Sequence, residues 1–185
     1  MTPALSFAPE LLLQAQGVHA AIFDVDGVLT DGRLYIGEHG EAFKAFHVLD
    51  GHGLKLLAAG GITPLVISGR DSPALRRRLS DLGIAHSAFG AADKLQAAGP
   101  LLQRLQLAWS DVAVIGDDWP DLPLMDRARF ACTVPSAHAE VRAAAHHVTS
   151  APGGGGAARE FCDLLLCAAG RYADLLHTQR NSLDR

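Results

Sequence analysis

Short apolar runs and longer amphipathic stretches alternate along this chain. Residues 18–24 (VHAAIFD), 63–68 (TPLVIS), 111–115 (DVAVI) and 130–134 (FACTV) are nearly continuous apolar runs. Runs of this length predict strands buried on both faces of a parallel sheet. Two shorter strands are predicted over 86–89 and 147–149. Helices are predicted over 9–16, 50–59, 73–82, 93–106, 122–128, 137–145 and 158–176. Several are bounded by a proline in the first turn or a glycine after the last. Residues 33–48 break the alternation. There, 33–36 and 41–48 around Gly37-Glu38-His39-Gly40 read as a β-hairpin. A glycine loop covers 153–156, and the polar tail 177–185 is expected to fray.

Strands alternating with helices imply right-handed βαβ units and a Rossmann-like, three-layer α/β fold around a parallel sheet. All 185 residues read as one domain. The hairpin is a small flap, since about 25 residues are too few for a separate cap domain. In such sheets a ligand sits beyond the carboxyl ends of the strands. The chemically unusual residues obey that rule: Asp24 and Asp26 follow the first strand, Ser68-Gly69-Arg70 the second and Asp117-Asp118 a later one, while Lys94 opens a helix. The strand ending in Ser68 is read as the middle one.

Carboxylates are costly to leave unpaired where a buried strand ends. Two of them about 4 Å apart repel by roughly 4 kcal/mol at an effective dielectric near 20. A hard divalent cation between Asp24 and Asp26 is the simplest remedy, with Asp117 as a further carboxylate ligand. Capping a turn would explain one of Asp117, Asp118 and Asp121, but not all three. Asp118 and Asp121 are therefore read as groups that hold Asp117 and the metal's waters. Phosphoryl transfer asks for this set: Asp24 as nucleophile, Asp26 as proton donor and then base, and Ser68 and Lys94 as donors to the phosphoryl oxygens. Arg70 and Arg78 offer forks for a further anionic group on the substrate. His47 and His52 flank the loop after the hairpin and are candidates for substrate contact.

The charge balance, 16 basic against 20 acidic residues for a net −4, argues against a nucleic-acid partner. Three cysteines (132, 162, 167) form no CxxC pair and read as reduced, packed thiols. The first residues lack a basic segment and a long apolar run. Neither a signal peptide nor a membrane span is expected, and a cytoplasmic location follows.

Four pieces, DVDGVLTDG at 24–32, Ser68-Gly69-Arg70, Lys94 and GDDxxD at 116–121, together resemble the haloacid dehalogenase-like phosphatase superfamily across residues 20–166. The DxDGVLTDG opening, the hairpin and GGGGAARE at 153–160 are similar to 3-deoxy-D-manno-octulosonate 8-phosphate phosphatases. The resemblance implies Mg²⁺, an aspartyl-phosphate intermediate, a homotetramer and a place in making a surface lipopolysaccharide precursor. By position it makes Asp24, Asp26 and Asp117 metal and catalytic residues, and Ser68, Gly69 and Lys94 phosphate binders. Arg70 and Arg78 match positions linked with the sugar-acid carboxylate. One departure is Leu49-Asp50-Gly51, where many such proteins carry arginine before Asp-Gly. It keeps nine-carbon sugar-acid 9-phosphates open as alternative substrates. A receiver-like signalling domain and a silent assembly module are further alternatives.

Overall fold

The computed structural model describes residues 3–181. In chain order it contains α1 (Pro9–Ala15), β1 (Ala20–Phe23), β2 (Tyr35–Gly37), β3 (Gly40–Phe43), α2 (Val48–Ala59), β4 (Thr63–Ile67), α3 (Pro73–Leu82), β5 (His86–Ala88) and α4 (Lys94–Leu105). After these come β6 (Val112–Gly116), α5 (Leu122–Met125), β7 (Phe130–Thr133), α6 (Ala139–Ala144), β8 (His147–Val148), α7 (Ala157–Ala168) and α8 (Tyr172–Asn181). Six strands form one parallel sheet in the order β5-β4-β1-β6-β7-β8. The chain winds outward from β1 to β5, then returns to lay β6 against the other side of β1. That reversal opens a crevice at the carboxyl edge of β1. β1, and not the strand that leads to Ser68, is thus the inner one; β4 has only β5 beyond it.

Every residue of β1, β6 and β7 is buried, as their unbroken apolar runs require. Phe23 of β1 meets Phe161 of α7 edge-on, with ring centroids 5.4 Å apart. Phe161 also lies parallel to Phe130 of β7, with centroids 6.5 Å apart, and all three rings belong to the buried cluster. Gly53 lets α2 and α7 pack closely, since a Cβ there would come within 3.1 Å of the Arg159 Cα.

The hairpin is shorter than expected. Its ladder pairs Tyr35 with Phe43 and Ile36 with Glu41, and it ends at Phe43 rather than running on to Val48. Residues 44–47 leave the ladder as the chain turns into α2. The single helix expected over 158–176 is two, because Gly170 adopts φ +68° and breaks the run between α7 and α8. Residues 177–181, expected to fray, continue α8; the rest of that tail lies outside the described residues.

Two contacts tie the end of the chain to its beginning. Gly154 donates from its N–H to the Val28 carbonyl at 2.9 Å. A Cβ on Gly153 would lie 1.8 Å from the Gly27 carbonyl oxygen. Nearby, the buried Asp50 carboxylate accepts the Gly156 N–H at 3.3 Å and the Arg159 N–H at 2.9 Å. It therefore caps α7 from the first turn of α2, where α7 has no side-chain cap of its own.

Gly153→Ala is expected to push the 27–30 turn out of place and to cost about 1–3 kcal/mol, the usual range for overpacking. Thermal melts check the loss, and a variant as stable as the parent would refute the backbone-on-backbone packing.

Candidate active site

β1 delivers Asp24 to the crevice, and the Asp24 N–H still bonds to the Ile115 carbonyl at 3.0 Å, one step beyond the ladder. The following turn is pinned by Thr30. Its hydroxyl oxygen accepts from Gly27 N–H (3.3 Å) and Gly32 N–H (3.2 Å) and donates to the Val25 carbonyl (3.3 Å). Only glycine fits at 27: φ is +98°, and a Cβ would fall 2.0 Å from the Asp117 Oδ2. This close approach is what brings the turn after β1 against the turn after β6.

Asp93 caps α4 by accepting the Gln96 N–H at 2.9 Å, so Lys94 stands at the first helical position and points under the crevice. Its ammonium donates to Asp24 Oδ1 and to Asp121 Oδ1, each at 2.6 Å. The other Asp121 oxygen accepts the N–H groups of Asp117 (3.2 Å) and Asp118 (3.4 Å), fixing the turn after β6. Ser68 is buried after β4, and its Oγ accepts the Arg70 N–H at 3.1 Å.

The result is a cleft of about 440 Å³ bordered by Asp24, Asp26, Gly69, Arg70, Lys94, Asp117, Asp118 and Asp121. Oxygens of Asp24, Asp117 and Asp121 come within 4.8 Å of one another. Burial, reinforced by the Asp121 charge, pushes Asp24 up to about 8. Burial and Asp121 likewise push Asp117 up to about 6. Burial opposes the charge on Lys94, but Asp24 and Asp121 outweigh it and hold the amine above the ordinary lysine range. Carboxyls whose affinity for protons is raised by burial and by one another's charge, all hard oxygen donors, make a site that fits a divalent ion such as Mg²⁺.

Most of the residues expected at the site from sequence meet here, with differences at Asp26, Arg78, Asp118, His47 and His52. The Asp26 carboxylate stands apart from the Asp24–Asp117–Asp121 cluster and is engaged by Lys44. Arg78 is not with Arg70 at the cleft. It donates to the His47 carbonyl at 3.3 Å and lies 5.9 Å from the Phe46 ring centre. Asp118 is exposed and works through its turn rather than as a buried support. Neither His47 nor His52 borders the cleft. His47 precedes α2, and His52 lines a separate cavity of about 170 Å³ between α2, α7 and α8. The cysteines are free thiols, as expected, with Cys132 and Cys162 fully buried.

Sequence reasoning missed Lys44 and Glu41. The signal was inverted polarity: in a strand carrying Phe43 and Lys44 the phenylalanine was the natural inward residue, yet Phe43 is exposed and the Lys44 side chain is not.

The fold and this edge are those of the haloacid dehalogenase-like hydrolases, and the chain belongs to that family. The family's sequence model matches residues 89–161. Within it, the chain is similar to 3-deoxy-D-manno-octulosonate 8-phosphate phosphatases. It is 40% identical over 164 residues to KdsC of Salmonella typhimurium, covering 89% of this chain and 87% of that protein. It superposes on the phosphatase of that name from Yersinia pestis with TM-score 0.87 and 41% identity, covering 90% of each chain. The Moraxella catarrhalis phosphatase, solved in complex with magnesium ion, phosphate ion and KDO, gives TM-score 0.88 at 38% identity, covering 91% of this chain and 97% of that one.

The raised carboxyls set a pH dependence. Without a cation, folded Asp24 and Asp117 keep protons that the unfolded chain has lost above about pH 4, so the folded state binds more protons and stability falls as pH rises toward about 8. Mg²⁺ then competes with fewer protons at the higher pH. Its stabilising increment in a thermal melt is expected to grow from about pH 5 to about pH 8. An increment independent of pH would refute the raised carboxyls of Asp24 and Asp117.

Proposed function

We propose that the chain is a Mg²⁺-dependent phosphatase that hydrolyses the phosphomonoester of a sugar acid, 3-deoxy-D-manno-octulosonate 8-phosphate. The carrying observation is the buried ammonium of Lys94 joined to both Asp24 and Asp121 beneath an otherwise acidic cleft. Around it, Asp24, Asp26 and Asp117 would hold Mg²⁺. Of these three, Asp26 has one carboxylate oxygen engaged by Lys44. The ion would offset the acidic cluster's charge and spread that of the phosphoryl group.

The chain's own residues then divide the work. Asp24 attacks phosphorus, the bond from phosphorus to the sugar oxygen breaks, and Asp26 gives its proton to that departing oxygen. Water next attacks phosphorus of the aspartyl-phosphate. Asp26 takes back a proton, inorganic phosphate leaves and the Asp24 carboxylate is restored. The Ser68 hydroxyl, the Gly69 main chain and Lys94 bind phosphoryl oxygens, and Arg70 receives the sugar-acid carboxylate. Arg78 reaches that group only if it leaves the His47 carbonyl and the Phe46 ring in the segment before α2. Asp118 and Asp121 keep Asp117 in place.

The relatives' names and the Moraxella complex support the eight-carbon substrate. Leu49, half exposed at the exit of the hairpin, keeps the nine-carbon 9-phosphates as a second reading. The receiver-like alternative is disfavoured because Asp24 and Asp26 share one turn at the inner strand. The enzyme would act in the cytoplasm on a lipopolysaccharide precursor.

We also read the chain as a homotetramer. Leu34, Ile36 and Phe43 on the hairpin and Val48 and Leu49 just after it are all exposed, and apolar side chains left open together in one stretch of chain mark an interaction surface. A neighbouring subunit would cover it and help close the cleft.

Asp24→Asn is expected to lower kcat by about a thousandfold or more, as loss of a nucleophile does, with thermal stability equal to or above the parent's. In a kcat/KM panel, the eight-carbon sugar-acid 8-phosphate is expected to exceed its nine-carbon counterpart. Residual activity near the parent's in the variant would reject Asp24 as nucleophile, and the reverse order in the panel would favour the second substrate. Sedimentation is expected to give four protomers, and a stable, fully active monomer would overturn the assembly reading.

A further inference from the structure

Asp26 is held from a side that phosphate chemistry alone does not require. Lys44 follows β3, and its side chain is 1% exposed. The ammonium donates to Asp26 Oδ1 and, at 2.9 Å, to Glu41 Oε1. Arg70 approaches the same two acids from the turn after β4, with Nε 3.8 Å from Asp26 Oδ2 and Nη2 3.5 Å from Glu41 Oε1. Burying an ammonium is costly unless it is paired and hydrogen-bonded. On the same hairpin Phe43 and Ile36 are 56% and 63% exposed. A hairpin shaped by solvation alone would turn its aromatic inward and its lysine outward. This one does the opposite, and what the lysine meets inside is Asp26.

The arrangement parallels the one at Asp24. Each of the two aspartates in the turn after β1 has a buried lysine, and each lysine has a second carboxylate that takes up its remaining charge: Asp121 for Lys94, Glu41 for Lys44. Lys94 comes from the sheet's own helix layer, whereas Lys44 comes from the hairpin. With its ammonium shared between two acids and shielded from solvent, Lys44 is poorly placed to bind substrate directly. Only Asp26 Oδ1 is tied to it, while Asp26 itself borders the cleft.

We propose that Lys44 is a positioning residue for Asp26, fixing one carboxylate oxygen against the hairpin so that the other faces the oxygen leaving phosphorus. This rests on the reading of Asp26 as proton donor given above. The hairpin thereby contributes to chemistry as well as to covering the cleft: its docking orients the acid.

The test separates orientation from simple structural support by changing the leaving group. A sugar hydroxyl needs a proton as it departs, whereas 4-nitrophenolate leaves without one. Because kcat/KM reports the steps through transfer to Asp24, the contrast isolates proton donation. In Lys44→Met, kcat and kcat/KM on 3-deoxy-D-manno-octulosonate 8-phosphate are expected to fall about 30-fold with KM within about threefold, a fraction of the 10²–10⁴ range of general acid catalysis. On 4-nitrophenyl phosphate kcat/KM should stay within about threefold. Lys44→Arg, which keeps the charge, should recover part of the loss on the sugar substrate. If Lys44→Met does not fold by circular dichroism, Lys44→Gln is read on the same pair and must show the same inequality. Equal losses on both substrates, no loss on either, or a rise in KM alone would overturn the proposal. If the unmodified chain shows no Mg²⁺-dependent turnover, the phosphatase reading fails and this one with it; turnover with equal losses sinks only the role of Lys44.

Discussion

The buried ammonium of Lys94 holds together the acids gathered around Asp24 at the edge of this sheet. Lys94 sits where the carboxylates of Asp24, Asp117 and Asp121 converge, and two of them meet it at hydrogen-bond length. Without a positive charge there, repulsion among the acids and the cost of desolvating them would outweigh the packing that brings them close. Each supporting feature can be traced to the need to place that amine. The Asp93 cap starts α4 one residue before it, the parallel ladder carries Asp24 over it, and Asp121 reaches it from the turn after β6. The lysine neutralises only part of the charge, so the raised carboxyls of Asp24 and Asp117 are the residue of an unbalanced site, one that a bound cation completes.

The architecture and the edge chemistry were legible in the sequence because they follow from local rules. Buried parallel strands show as unbroken apolar runs, and residues at their carboxyl ends share one edge whatever their separation along the chain. Asp24, Ser68, Lys94 and Asp117 could thus be placed near one another before any coordinates. Which strand lies innermost could not, because strand order depends on how the chain doubles back, and an apolar run carries no record of its neighbours. The break at Gly170 was written in the sequence as a glycine after a small-residue stretch, but amphipathic spacing on either side masked it.

Side-chain direction was the other blind spot. Arg70 and Arg78 sit eight positions apart and looked like partners, yet one lies on a turn facing the cleft and the other on a helix, where it was captured by the His47 carbonyl. Lys44 was passed over, because period-two alternation assigns its apolar neighbour to the inside. The hairpin reverses that assignment, since its inner face looks onto an acidic turn rather than onto a hydrophobic core. Both residues were turned by partners distant along the chain, an acidic turn for Lys44 and a backbone carbonyl for Arg78.

The Asp50 carboxylate stands at the start of one helix and terminates the amide row of another more than a hundred residues later. Peeling α7 away from α2 would strand a desolvated acid and several amide protons at once, so the first and last thirds of the chain open together or not at all. Slow hydrogen exchange at the start of α7 would therefore share its free energy with that of α2, making the fold's two ends one cooperative unit despite their distance along the polymer.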